Sequence, residues 1–103
     1  VLSYRLLRAL RGDGTALAGF DHVAYVPAGH FEARTLAWVV AEFAAVRAAT
    51  VALVADTPSS QFAFSIPVGS GRISARALAY VIAGHERHHQ ALLQERYQPA
   101  VQG

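Results

Sequence analysis

The chain has 103 residues, of which 53% are apolar and 16% are charged, and its formal net charge is +2. These values suit one small domain and exclude an intrinsically disordered protein, and the scattered arginines predict no nucleic-acid partner. Because the sequence contains no cysteine, disulfides and thiolate metal sites are excluded, which leaves histidine, aspartate and glutamate as possible metal ligands.

The first predicted element is a helix over residues 1–11, which is dense in helix-forming residues. Its apolar face consists of Leu2, Leu6, Ala9 and Leu10. The "GDG" motif that follows ends the helix, because glycine disfavours its continuation. Residues 12–32 are then predicted to form a long irregular loop, and a loop of this length inside a small domain is often functional.

The second predicted helix covers residues 33–56, and Pro58 stops it. Its apolar residues recur at steps of three and four, as in the seam of a helical bundle. This seam consists of Leu36, Val39, Phe43, Val46, Thr50 and Leu53. Residues 57–73 form a second predicted loop, in which "FAFSI" alternates weakly and could pair briefly as an extended segment.

The third predicted helix covers residues 74–97, with Ser74 as its N-cap and Pro99 just beyond its end. Its apolar face consists of Leu78, Val81, Ile82, Leu92 and Leu93. The sequence therefore predicts an all-α fold in which the two long helices pack antiparallel. No apolar run approaches the roughly 20 residues of a membrane span, so we expect a cytoplasmic protein without a membrane partner.

Three amphipathic helices are one fewer than a stable antiparallel bundle usually contains. We expect residues before Val1, or a second copy of the chain, to complete the core, and a homodimer is the predicted assembly. The seam surface around Leu36, Phe43, Leu78 and Leu92 is the part that such a partner would cover. Residues 1–103 are accordingly interpreted as part of a single helical domain.

Three of the five histidines lie in the third helix, at His85, His88 and His89. Residues four apart on a helix differ by about 40° in direction, so His85 and His89 can present ring nitrogens to one ion. Both fall on the apolar face, which predicts that they turn inward, whereas His88 lies nearer the edge. The alternative is a pair of histidines at the edge of the core that hydrogen-bond to neighbouring groups. A third metal ligand would have to come from another helix.

Several stretches resemble the DinB-like (DinB/YfiT) superfamily. "SARALAYVIAGHERHHQALLQERY" (74–97) is similar to the last helix of that family, and "GHERHH" followed by "ERY" is its most specific part. "YRLLRALRGDGTALAGFD" (4–21) resembles the end of the family's second helix with the loop after it, and "WVVAEFAAVRAAT" (38–50) resembles its third helix. The resemblance runs along nearly the whole chain and covers about the later three-fifths of a typical member.

This resemblance implies an antiparallel four-helix bundle that holds a divalent metal, often nickel or zinc, through three histidines. Two of them correspond to His85 and His89, and the third belongs to a position that would precede Val1. His22 and His30 lie in the long loop, where the family has no ligand, and are interpreted as exposed loop histidines.

The resemblance also implies a reaction class. Characterised relatives include thiol-dependent transferases and isomerases that use mycothiol or bacillithiol, so a metal-dependent thiol transferase or isomerase acting on an unidentified small molecule is the leading hypothesis. The alternative is a non-catalytic dimeric helical bundle whose histidine pair is structural or vestigial. A DNA-damage-linked binding protein is a weaker third hypothesis, because the charge distribution predicts no nucleic-acid footprint.

Overall fold

The computed structural model describes the backbone of residues 1–102 and the side chains of residues 1–96. In chain order its elements are α1 (Leu2–Leu10), α2 (His22–Ala28), a 3₁₀ turn (Phe31–Ala33), α3 (Leu36–Ala55), a second 3₁₀ turn (Ser59–Ala63), β1 (Ser65–Val68), β2 (Gly71–Ser74) and α4 (Ala75–Gln102). Their contacts divide the chain into two compact units. The first unit combines α1 with everything from Pro58 onwards, and the second comprises residues 16–57.

The three helices that the apolar spacing predicts are confirmed as α1, α3 and α4. The N-cap prediction for α4 is also confirmed, because the Ser74 hydroxyl accepts a hydrogen bond from the Ala77 N–H at 3.1 Å. The predicted end of α4 near residue 97 is wrong. The helix continues through Pro99 to Gln102.

The all-α prediction needs a correction, because the second predicted loop contains an antiparallel hairpin. Strand β1 pairs with β2 in a register that places Ile66 opposite Ile73. A two-residue turn joins the strands, and its first residue, Gly69, has a positive φ of 56°, a conformation that favours glycine. The fold is thus mostly helical with one small two-stranded sheet.

The first predicted loop also contains a helix, α2, that the sequence pattern does not predict. The Asp21 carboxylate caps α2 by accepting hydrogen bonds from the N–H groups of Val23 and Ala24, at 3.1 and 3.2 Å. Pro27 lies inside this helix, in its last turn. A proline this close to the end of a helix removes few of its backbone hydrogen bonds, which is why Pro27 did not prevent α2 from forming.

The core of the first unit lies where α1, the hairpin and α4 meet. Its buried apolar residues are Leu6, Ala9, Leu10, Ile66, Ala75, Leu78 and Ile82. The face predicted for α1 therefore packs as expected, with Leu2 half-buried at its edge. On α4 only part of the predicted face is buried. Val81 and Leu93 are exposed, so the buried stripe is narrower than the apolar pattern suggests.

An ion pair and a set of hydrogen bonds stabilise the chain just after α1 ends. The Arg8 guanidinium donates to the Asp13 carboxylate at 2.9 Å and to the Thr15 carbonyl oxygen at 2.8 Å. The Thr15 N–H in turn donates to the other Asp13 oxygen at 3.0 Å. Hydrogen bonds from Thr15, with a smaller contribution from Arg8, hold the pKa of the Asp13 carboxyl below its ordinary value of 3.8.

Asp13→Asn is therefore expected to lower the Tm at neutral pH. A depressed carboxyl pKa stabilises the folded chain above the unfolded-state value of 3.8, and this contribution is lost as the pH falls through the lower folded-state pKa. Thermal melts followed by circular dichroism from pH 7 to about pH 3 should show the two Tm values converging in acid. Glu95→Gln, at an exposed carboxylate on α4, is the matched control. A difference in Tm that does not change with pH would contradict the prediction.

The second unit contains α2 and α3. The Thr35 hydroxyl caps α3 by accepting from the Trp38 N–H at 3.0 Å. Helix α3 is apolar on every side, yet Thr50 is its only buried residue. By length and composition α3 could cross a membrane, so the expectation that no segment approaches that length is wrong. A single helix of this kind is weak evidence for a membrane protein, because core helices of soluble proteins have the same composition.

The predicted seam surface is only partly exposed. Leu36 and Phe43 of α3 are exposed, at 78% and 52%. Leu78 instead belongs to the core of the first unit, and Leu92 is half-buried. The surface available to a partner is therefore on α3 and does not include the buried stripe of α4.

Candidate functional site

The histidine cluster lies on α4, beyond the stretch that packs into the core of the first unit. Ser74 fixes the start of the helix, and Leu78 and Ile82 anchor its first two turns. His85 follows Ile82 by three residues and His89 follows His85 by four, so both histidines extend from a helix that is held in place at its N-terminal end.

The structure brings His85 and His89 together. Their Nε2 atoms lie 3.1 Å apart, and their ring centroids are 4.5 Å apart with the planes inclined at 75°. Two nitrogen ligands at about 2.1 Å from one zinc ion, with ordinary angles between them, lie about 3.0–3.4 Å from each other. The spacing of this pair fits two positions in the coordination sphere of a divalent metal.

The same separation also suits a hydrogen bond between the two rings. One neutral imidazole must then carry its proton on Nε2 and donate, while the other must carry its proton on Nδ1 and accept. A metal ion requires an unprotonated Nε2 on both rings. Metal binding and the ring-to-ring hydrogen bond are therefore mutually exclusive states of this pair.

The prediction that both histidines turn inward is wrong, because both side chains are exposed. The buried stripe runs from Leu78 and Ile82 towards Glu86, which is half-buried, and His85 stands beside this stripe. Glu86 follows Ile82 by four residues, and this spacing places it on the same face of α4 as Ile82. The exposed nitrogens are accessible to an ion or to a ligand from solvent.

His88 lies beside the pair. Its ring centroid is 5.7 Å from that of His89, in an edge-on arrangement, so three imidazoles cluster on one side of α4. Even so, among the side chains of residues 1–96 no group of three His, Cys, Asp or Glu residues is arranged to hold a metal ion. The described residues supply two convergent ligands, and the third ligand that the resemblance implies is not among them.

The two remaining histidines belong to the second unit. His22 is the first residue of α2, and its ring lies edge-on to Phe20 with centroids 6.4 Å apart. His30 has a left-handed backbone, with φ of 51°, and precedes the first 3₁₀ turn. Both are exposed, as predicted, but His22 lies in a helix and not in a loop.

Comparison with known proteins identifies the family. The model of the DinB superfamily matches residues 2–93, a stretch that includes α1, α2, α3, the hairpin and the histidine cluster of α4. Neither a curated protein nor a solved structure gives a significant match. Because the family match spans nearly the whole chain, including the histidine cluster and most of every segment in which the resemblance was recognised, the protein belongs to the DinB superfamily.

Proposed function

We propose that this protein is a metal-binding member of the DinB superfamily, in which His85 and His89 provide two ligands to a divalent ion, nickel or zinc. The observation that carries the proposal is the 3.1 Å separation of their Nε2 atoms on one helix. Water, a substrate atom, or a ligand from outside the described side chains would occupy the other coordination positions. The proposal places the pair within the antiparallel four-helix bundle of a cytoplasmic protein.

The proposed activity is transfer or isomerisation with a low-molecular-weight thiol of the mycothiol or bacillithiol type. A bound divalent ion supplies Lewis acidity and favours the thiolate form of a coordinated thiol. The role of this chain's residues is to hold the ion. The Nε2 atoms of His85 and His89 bind on one side of the site, and their exposure leaves room for a thiol to approach.

The competing proposal is a non-catalytic helical bundle in which the histidine pair is structural or vestigial. Two observations favour it: both rings are exposed, and the side chains of residues 1–96 contain no third convergent ligand. In that case the Nε2 atoms would share a proton in a ring-to-ring hydrogen bond, and the pair would add little to stability.

Cobalt substitution separates the two proposals. Co²⁺ titrated into the chain should produce visible d–d absorption in the wild-type protein, and this absorption should be absent from a His85→Ala, His89→Ala double variant. Addition of a small thiol such as cysteamine should then produce a sulfur-to-cobalt charge-transfer band in the near ultraviolet, again only in the wild type. Visible absorption without a thiol band would support a metal site and reject the thiol chemistry. Identical spectra from both proteins would reject the metal site.

A further inference from the structure

Arg96 lies on the same side of α4 as the histidine pair. His85 and His89 differ by about 40° in direction, and Arg96, seven residues after His89, falls midway between these two directions. Helix α4 runs from Ala75 to Gln102, so one element carries all three side chains. Their common direction follows from sequence spacing on this helix and does not depend on any other element.

This side of α4 carries positive charge and no carboxylate. The two acidic residues of the helix lie elsewhere, with Glu86 about 80° and Glu95 about 100° from the direction of the pair. Arg87 lies on the opposite side, about 180° away. With a divalent ion on the pair, the ion and the Arg96 guanidinium would both be positive. This side of the helix therefore favours an anionic ligand.

The distance along the helix sets the length of that ligand. His89 and Arg96 are about 10 Å apart along the axis, at about 1.5 Å per residue. Long side chains on a helix lean towards its N-terminus, so the Arg96 guanidinium can reach back over Leu92 and shorten this distance. Leu92 lies about 40° from the direction of the pair and offers an apolar contact between the two ends. The arrangement suits a ligand with a metal-binding end, an apolar middle and an anionic end.

We propose that Arg96 is a specificity-determining residue for thiols that carry a carboxylate several carbon atoms from the sulfur. This inference rests on the proposed metal site and adds the class of ligand that the site selects. The thiolate sulfur would bind the ion held by His85 and His89. The carboxylate would accept hydrogen bonds from the Arg96 guanidinium, whose planar donors match the two oxygens of a carboxylate.

Two thiols that differ only at the far end test this selection. The probes are 6-mercaptohexanoate and the neutral 6-mercaptohexanol, and the sulfur-to-cobalt charge-transfer band follows their binding to the cobalt-loaded protein. The wild type should bind the carboxylate thiol about fivefold more tightly, the upper end of what an exposed ion pair contributes. The preference should shrink at high salt, because dissolved ions screen the pair.

Substitutions on α4 identify the group that reads the carboxylate. Arg96→Gln should remove the preference, so that the two thiols bind equally. Arg87→Gln is the matched control, because it removes the same charge from the opposite side of the helix and should keep the preference of the wild type. Arg96→Lys keeps the charge but loses the planar fork, so it should keep only part of the preference. The d–d absorption of each variant should match the wild type, which would show an intact metal site.

Three results would overturn the inference while leaving the metal site in place. The first is equal affinity of the wild type for the two thiols. The second is a preference that survives Arg96→Gln, which would assign the carboxylate to another group. The third is an equal loss of preference in Arg87→Gln and Arg96→Gln, which would reflect overall charge. A wild type without d–d absorption would instead reject the proposed metal site, and this inference with it.

Discussion

Leu78→Ala is expected to lower the free energy of unfolding by about 3 kcal/mol, the middle of the range for truncating a buried leucine. Leu78 is 3% exposed on the inner face of α4, among the residues that join α1 and the hairpin to this helix. Truncation removes the transfer free energy of the lost methyl groups and leaves a cavity that rigid neighbours fill only in part. Urea unfolding followed by circular dichroism measures the change.

The same helix offers a matched control. Leu93 is 52% exposed, so Leu93→Ala makes the same chemical change on α4 with much less burial lost. We expect it to cost less than about 1 kcal/mol, since half of this side chain already contacts water and alanine is a good helix former. Equal destabilisation by the two variants would contradict the position of the core between α1, the hairpin and α4.

The helices could be predicted because their signals are local. The spacing of Leu6, Ala9 and Leu10 specifies the inner face of α1, and the Ser74 hydroxyl marks the start of α4 through a hydrogen bond within one turn. Helix α2 was missed because Pro27 is usually a helix breaker, although the Asp21 cap preceded it. The hairpin was anticipated only as a brief extended segment at "FAFSI", because β1 is four residues long, too short for alternation to distinguish a strand from a loop.

For the histidine site, too, local features could be predicted from the sequence and features that depend on other elements could not. The convergence of the His85 and His89 nitrogens follows from a four-residue step on one helix, so sequence spacing was enough to predict it. Their exposure was not predictable in this way, because it depends on which residues from other elements pack against α4. The buried stripe turns towards Glu86, and a difference of about 100° in direction separates a half-buried residue from an exposed one.

The second large effect concerns metal affinity. His85→Ala or His89→Ala alone should weaken binding of nickel or zinc by more than about 100-fold, because loss of a direct ligand should exceed the 10- to 100-fold effect of losing an outer hydrogen-bond partner. The reason is geometric: the remaining imidazole keeps its nitrogen but loses the partner 3.1 Å away with which it chelates the ion. Competition titration against a chromogenic chelator measures the two affinities.

His88→Ala is the matched control, since it removes an imidazole from the same cluster while leaving both Nε2 atoms of the pair in place. It should leave metal affinity within about threefold of the wild type, well below the expected effect of removing a ligand.

The double variant His85→Ala, His89→Ala should retain no metal after washing with chelator, as measured by elemental mass spectrometry. Equal metal content in the wild type and the double variant would show that this pair is not the site. A loss for His88→Ala as large as that for His89→Ala would instead show that the cluster binds metal through a different pair, with His88 as one of its ligands.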